Sequence, residues 1–421
     1  MKKKYIACMT LAFLLGSILT GCNNANNMDH SQMGHDSGAA NPDASKERLT
    51  LQTKNVTRVN QDDPVQAAIE TSQLIWPATG EGNRPGTVLL GIKGNTKINL
   101  PAVTLIHHPN NGPLLYAEKD RIPEATMKEL KRLNPAGSSM NQGVQVILVG
   151  GFADSVRQSL EKQGFKVDAV KAEEPAEMAK QLDAYYAKAS GGAYPQGVII
   201  GSADPLDYSL PAANWIAHMP EPLLYVHKNS VPQATVEALQ QRKNKPSIYL
   251  LGPESVVSKE VEKKLQSFGE VTRIAGQTPE ENAIAFAKFK DKTTQFGWGV
   301  TQPGHGLTFT RLNQMDTAIA SAPFAHLGKH APMLVMEDKK LSQPIHHYLI
   351  SLQPKFKKEP TEGPYNHAYI IGTEASIPFT VQGMIDEMLE IVPASGGDGH
   401  SGHMNMEEQP THSDQNPHHG H

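Results

Sequence analysis

Three short charged stretches carry the side chains best suited to hold an anion: Glu118-Lys119-Asp120-Arg121, His227-Lys228-Asn229-Ser230 and Glu337-Asp338-Lys339-Lys340. Ammonium and guanidinium groups bind phosphate and carboxylate oxygens through charge-assisted hydrogen bonds. Lys119, Arg121, Lys228, Lys339 and Lys340 are therefore candidate contacts to a phosphate- or carboxylate-bearing polymer. The competing reading is a solvated turn. Arg58 and Arg273 form a second candidate set, since each follows Val-Thr in the similar segments Val56–Val59 and Val271–Ile274. They suit either an anionic ligand or an acid on a neighbouring segment.

The histidines divide into two groups. His108, His218 and His326 each stand shortly before an apolar run, at the end of a helix of small residues. A helix C-terminus favours a cation or a side-chain donor to its last carbonyls, so capping is the expected role. A metal shared by all three is the alternative. The second group lies at the chain ends: His30 and His35 with Met28 and Met33, then His400, His403, His412, His418, His419 and His421 with Met404 and Met406. Imidazole with thioether suits copper and imidazole alone suits zinc, so these ends are candidates for weak, multivalent capture of either ion. No cofactor is required by any motif. The chain holds no G-x-S-x-G, H-E-x-x-H or phosphate-loop pattern, so no catalysis is expected.

The charged stretches sit inside a repeat. GPLLYAEKDRIPEATMKEL at 112–130 recurs as EPLLYVHKNSVPQATVEAL at 221–239 and, more loosely, as APMLVMEDKKLSQPIHHYL at 331–349. A spacing of roughly 110 residues implies one supersecondary unit used three times. Each unit opens on a strand-like segment (Val56–Val59, Val167–Val170, Val271–Ile274) and continues with a proline that starts an amphipathic helix: Pro64, Pro175, Pro279. A short apolar strand follows in each: 87–91, 197–201 and 297–300, the last reading Gly-Trp-Gly-Val. A third strand then ends in glycine at Gly150, Gly252 and Gly372. Continuous Val/Ile/Leu runs alternating with helices predict parallel sheets covered by helices. The third unit carries insertions near 304–314 and 354–366.

The chain has 421 residues, 19% of them charged, and a net charge of −4, which gives nucleic acid no reason to bind. Residues 1–21 read as a signal peptide: Lys2-Lys3-Lys4, an apolar core, then Leu19-Thr20-Gly21-Cys22. The last four resemble a lipobox, which implies a lipid on Cys22 and an extracytoplasmic, membrane-anchored protein. Cys8 and Cys22 are the only cysteines; the first would leave with the signal peptide and the second carry the lipid, so no disulfide is expected. Residues 22–47 and 393–421 lack core formers and read as disordered ends. Between them lie repeats at 48–165, 166–269 and 270–392.

Together the five short motifs resemble the bacterial cell wall-binding repeat type 2. The residues that carry the likeness are Val271-Thr-Arg-Ile-Ala-Gly276, the run from Asp316 to Val335, Ile122-Pro-Glu-Ala-Thr126 with Val146–Gly151, and Val231-Pro-Gln-Ala-Thr235 with Ile248–Gly252. The resemblance implies three small α/β units around a pseudo-threefold axis, in a monomer. It also implies non-covalent attachment to an anionic polymer, beside peptidoglycan, in a Gram-positive wall. The sequence departs from the pattern in places. The motif's Asp survives only as Asp207 and Asp316, its arginine is Ala169 in the second unit, and Leu341-Ser342 replaces Leu-Pro in the third. Two other expectations compete with polymer binding: metal handling through the ends, and a solute-binding lipoprotein of a transporter.

Overall fold

A computed structural model describes residues 50–395 apart from 109 and 329. The signal peptide, the tether, Cys22 and every His and Met of the two ends lie outside the described residues. The chain begins with an antiparallel pair, β1 (Thr50–Gln52) and β2 (Val56–Val59), then helix α1 (Pro64–Ile75). The first sheet contains β3 (Val88–Ile92), β4 (Leu114–Ala117), β5 (Val146–Val149) and β6 (Val167–Val170). Helices α2 (Thr96–Ala102), α3 (Glu124–Leu133) and α4 (Asp154–Lys162) connect them. After α5 (Pro175–Ala189) the pattern repeats with β7 (Gly197–Ser202), α6 (Ala212–Ile216), β8 (Leu223–Val226), α7 (Gln233–Gln240), β9 (Ser247–Leu251), α8 (Lys259–Gln266) and β10 (Glu270–Ile274). The third copy is α9 (Pro279–Lys288), β11 (Gly306–Arg311), α10 (Met315–Ala320), β12 (Met333–Met336), α11 (Gln343–Ser351), β13 (Lys355–Phe356), β14 (His367–Ile371), α12 (Phe379–Leu389) and β15 (Val392–Pro393).

The expected α/β class holds: among the described residues there are three small, mainly parallel sheets and a two-stranded parallel pair, β13 with β15. Their orders are β4-β3-β5-β6, β8-β7-β9-β10 and β12-β11-β14-β2-β1. The strand that opens each repeat in the sequence is thus the far strand of a different sheet: β6 completes the first and β10 the second. β2, from the start of the chain, completes the third. A ring results, closed by pairing Val56–Val59 with Ala368–Ile371. The three junctions share one backbone bond. The glycine N–H after the third strand donates to the last residue of the added strand: Gly150 to Val170, Gly252 to Ile274, Gly372 to Val59, at 2.9–3.0 Å. These glycines hold φ of +103°, +107° and +134°, a region closed to other residues without strain, which is why each third strand ends in Gly.

The three prolines begin their helices as predicted. Asp63 caps α1 by accepting from the N–H groups of Val65 and Gln66, and Thr278 with Glu281 forms a capping box on α9. The strand expected at Gly297–Val300 is not formed. Gly297 and Gly299 turn the chain at φ of +94° and +66°, and the strand is β11, inside the segment read as an insertion. Pro393, expected to open a tail, instead belongs to a strand and pairs with Phe356.

The small-residue helices meet where the three units converge. Helix α2 packs on α6 and α10, and α6 packs on the turn Phe324–Gly328. Polar bonds cross the same seams. Asp316 accepts from the Gly94 N–H at 2.8 Å, and its carbonyl accepts from the Tyr116 hydroxyl at 2.7 Å. Asn214 donates to the Ala331 carbonyl at 2.7 Å.

Candidate functional site

Parallel α/β sheets present ligands to the loops beyond the carboxyl ends of their strands. The charged turns after β4, β8 and β12 occupy that edge, and Lys119, Arg121, Lys228, Lys339 and Lys340 are all exposed. Each turn is held from behind. The Ala153 N–H donates to the Lys119 carbonyl, the Ser258 N–H to that of Lys228, and Arg311 to that of Glu337. The five cationic groups form no ion pair among the described residues. Their ammonium and guanidinium groups stay available to a polyanion, although Glu118, Asp120, Glu337 and Asp338 offset much of the local charge.

The two other arginines proposed for this role do different work. Arg58 is fully buried; it donates to Gln382 Oε1 at 2.6 Å and to the Gly372 carbonyl at 2.7 Å, with its guanidinium 5.0 Å from the Phe379 ring centre. Burial pulls its pKa down to about 10. Arg273 repeats the arrangement, bonding Glu262 at 2.7 and 3.0 Å and the Gly252 carbonyl at 2.8 Å. Both lock the added strand to the glycine end of the third strand. Arg58 is removed from the polymer-facing candidates because no external group can reach it, and Arg273 is engaged on the same structural contact.

Two grooves lie in this part of the molecule, one between the first and third units and one within the second. One, of about 450 Å³, is lined by Asp62, Thr96, Gln314 and Asp316; the other, of about 200 Å³, by Glu174, Glu177, Tyr225 and His227. Burial pushes the Asp62 carboxyl up, but hydrogen bonds from Thr373, Gln314 and Ser376 outweigh it and hold the group below the usual range. Asp316 is raised by burial, which the Gly94 N–H offsets only in part. Carboxylates line both grooves, whereas the turns carry the exposed cations.

The central histidines form a second site that the sequence located only in part. His107, not His108, points into the seam, and its Nδ1 lies 2.8 Å from Nδ1 of His326. The ring centres are 4.5 Å apart. His107 is 6.0 Å from His218, and His218 is 4.3 Å from His330. Among the described residues the expected capping role is not seen: His326 Nε2 meets Asn111 Oδ1 at 3.1 Å, and His218 Nδ1 is buried without a partner. His108 is exposed. A usable signal existed in the register, because His107 and His326 both stand six residues before the proline that precedes the strand, Pro113 and Pro332. Burial, then the neighbouring imidazoles, drives His218 and His326 down to about 4 and lowers His107 and His305. A cavity of about 780 Å³ opens beside them, lined by His218, His305, His330, Trp215, Trp298 and Tyr365. Segments near the third unit's insertions build much of its wall.

No protein-family model matches the chain, and no curated protein does. Among solved structures the fold is similar to Cwp6 from Clostridium difficile, with 16% identity and a TM-score of 0.62, covering 82% of this chain and 49% of that one. It is also similar to Cwp8 from Clostridium difficile, with 18% identity and a TM-score of 0.61, covering 80% and 52%. The chain spans about half the length of these two proteins. At such identities the likeness is one of fold.

Proposed function

We propose that this protein is a non-catalytic lipoprotein of the cell envelope, anchored through a lipid on Cys22, whose three units bind an anionic wall polymer. The observation that carries the reading is the recurrence of exposed, unpaired lysines and Arg121 at the carboxyl edge of all three sheets. The fold shared with two C. difficile proteins whose names describe them as Cwp proteins supports the setting. Several cations spaced around a ring suit a repeating polyanion, because linked weak contacts gain from effective concentration. The binding is then electrostatic and weakens with salt.

The test is co-sedimentation of the mature chain with wall sacculi that retain or lack their anionic polymers. Binding to the first alone is expected, with a several-fold loss when Lys119, Lys228, Lys339 and Lys340 are changed together to Glu. Equal binding to stripped sacculi, or to neither, overturns the proposal.

A second reading rests on composition. Eight of the 18 histidines fall in the two ends, beside methionines, which favours capture of copper or zinc there. Calorimetry with each ion on chains with and without residues 396–421 checks it; unchanged uptake rejects a role for that end.

A further inference from the structure

One imidazole from each unit reaches the central seam, and the three do not behave as ordinary core histidines. His107 and His326 place their Nδ1 atoms 2.8 Å apart, so that one ring must donate and the other accept. The third, His218, lies 6.0 Å from His107 between ring centres and has a buried Nδ1 with no hydrogen-bond partner. Burying a polar atom without a partner is unfavourable. His218 can rotate without breaking any bond to that nitrogen. Its ring also lies beside His330 and the indole of Trp298, at 4.3 and 6.1 Å between ring centres.

We propose that His107, His218 and His326 form a binding site for a transition-metal dication, zinc or copper, with one ligand drawn from each unit. Among the described residues no three such donors are already closed around one point. The ion would separate the His107–His326 pair by a few tenths of an ångström and draw His218 Nδ1 inward. Three imidazole nitrogens at about 2.0–2.1 Å with one open position is a common zinc arrangement. The open position faces the cavity of about 780 Å³, which gives an entry path and sets His305 and His330 within it. The site is independent of the turns that face the polymer, and of the histidines at the chain ends.

Thermal unfolding separates this site from the ends, because an ion held between packed units binds only the folded chain. The full chain, stripped with chelator and then given Zn(II) or Cu(II) alone, is expected to melt higher by at least about 3 °C at a large excess over the dissociation constant. His107→Gln and His326→Gln should each abolish the rise, and His400→Gln with His403→Gln should leave it intact. No rise in the parent chain, or an equal rise in both central variants, overturns the site. If the central variants fail to fold, the parent chain is treated with diethyl pyrocarbonate with and without Zn(II) and mapped by mass spectrometry. Protection of His107, His218 and His326 supports the site, and protection confined to histidines at the ends overturns it.

Discussion

At the scale of single residues, Glu70 shows how the fold sets a chemistry the sequence does not advertise. It sits on α1, is 4% exposed, and neither carboxylate oxygen has a partner among the described residues. Burial alone raises its pKa to about 8. Its folded-state pKa lies above the unfolded value, so the acid imposes no penalty below about pH 4.5. As pH rises from there toward 8, ionisation favours the unfolded chain and stability falls. Glu70→Gln should therefore melt like the parent near pH 4.5 and several degrees higher at pH 8. Melting curves across that range check this; a difference independent of pH refutes it. The threonine of the repeated Ile/Val-Pro-x-x-Thr motif gives the opposite case, a residue whose recurrence pointed to a real task. Thr126 and Thr235 donate to the carbonyls of Tyr116 and Tyr225, at 2.8 and 2.5 Å, tying each helix to its strand. Arg58 and Arg273 also recur for a structural reason, and only their burial and partners separate that from ligand binding.

At the scale of elements, one helix–helix contact is built three ways. Between α1 and α3, Ser72 donates to Glu129, which Arg132 also bonds at 2.7 Å. Between α5 and α7, Asp183 stands at the position of Ser72 and forms a bidentate pair with Arg242 at 2.6 and 2.9 Å, both side chains essentially buried. Between α9 and α11 the contact is largely apolar, with Lys288 over the Tyr348 ring at 5.0 Å. Removing one partner of a buried pair strands the other charge, so Asp183→Ala should cost about 3–5 kcal/mol. Asp183→Ala with Arg242→Leu should recover most of that loss, because the third unit manages without the pair. Urea unfolding of the single and double variants checks both; a double variant as unstable as the single one contradicts the second expectation. The helix starts were legible because proline and acidic capping residues act locally. The third unit's second strand was not, since Gly-Trp-Gly-Val at 297–300 and Gly-Leu-Thr-Phe-Thr-Arg at 306–311 both mix glycine with apolar residues.

At the scale of the whole molecule, the N-terminal strand closes the ring. β2 joins the third sheet through Val56–Val59, and Arg58 fixes it there by reaching the Gly372 carbonyl and Gln382. The third sheet should therefore depend on residues some 310 positions away in the chain. A chain beginning at Gln61 is expected to lose hydrogen-exchange protection in β11 and β14 first, while β3 and β5 keep most of theirs. Unchanged protection in the third sheet would show that the closure is dispensable. The central histidine site belongs to this scale too, because none of its three ligands lies in the same unit as another.

Sequence alone determined the α/β class, the threefold repeat, the helix-starting prolines and the exposed charged turns. Those features depend on periodicity and local backbone chemistry, which neighbouring residues carry. Which strand completes which sheet, the burial of Arg58 and Glu70, and the meeting of His107 with His218 and His326 were decided only by tertiary structure. The pairing of β2 with β14 joins residues from opposite ends of the described chain, and no local pattern encodes that partner. Burial likewise depends on what packs against a side chain, so two arginines with the same neighbours in sequence can serve a ligand or a strand until the fold encloses them.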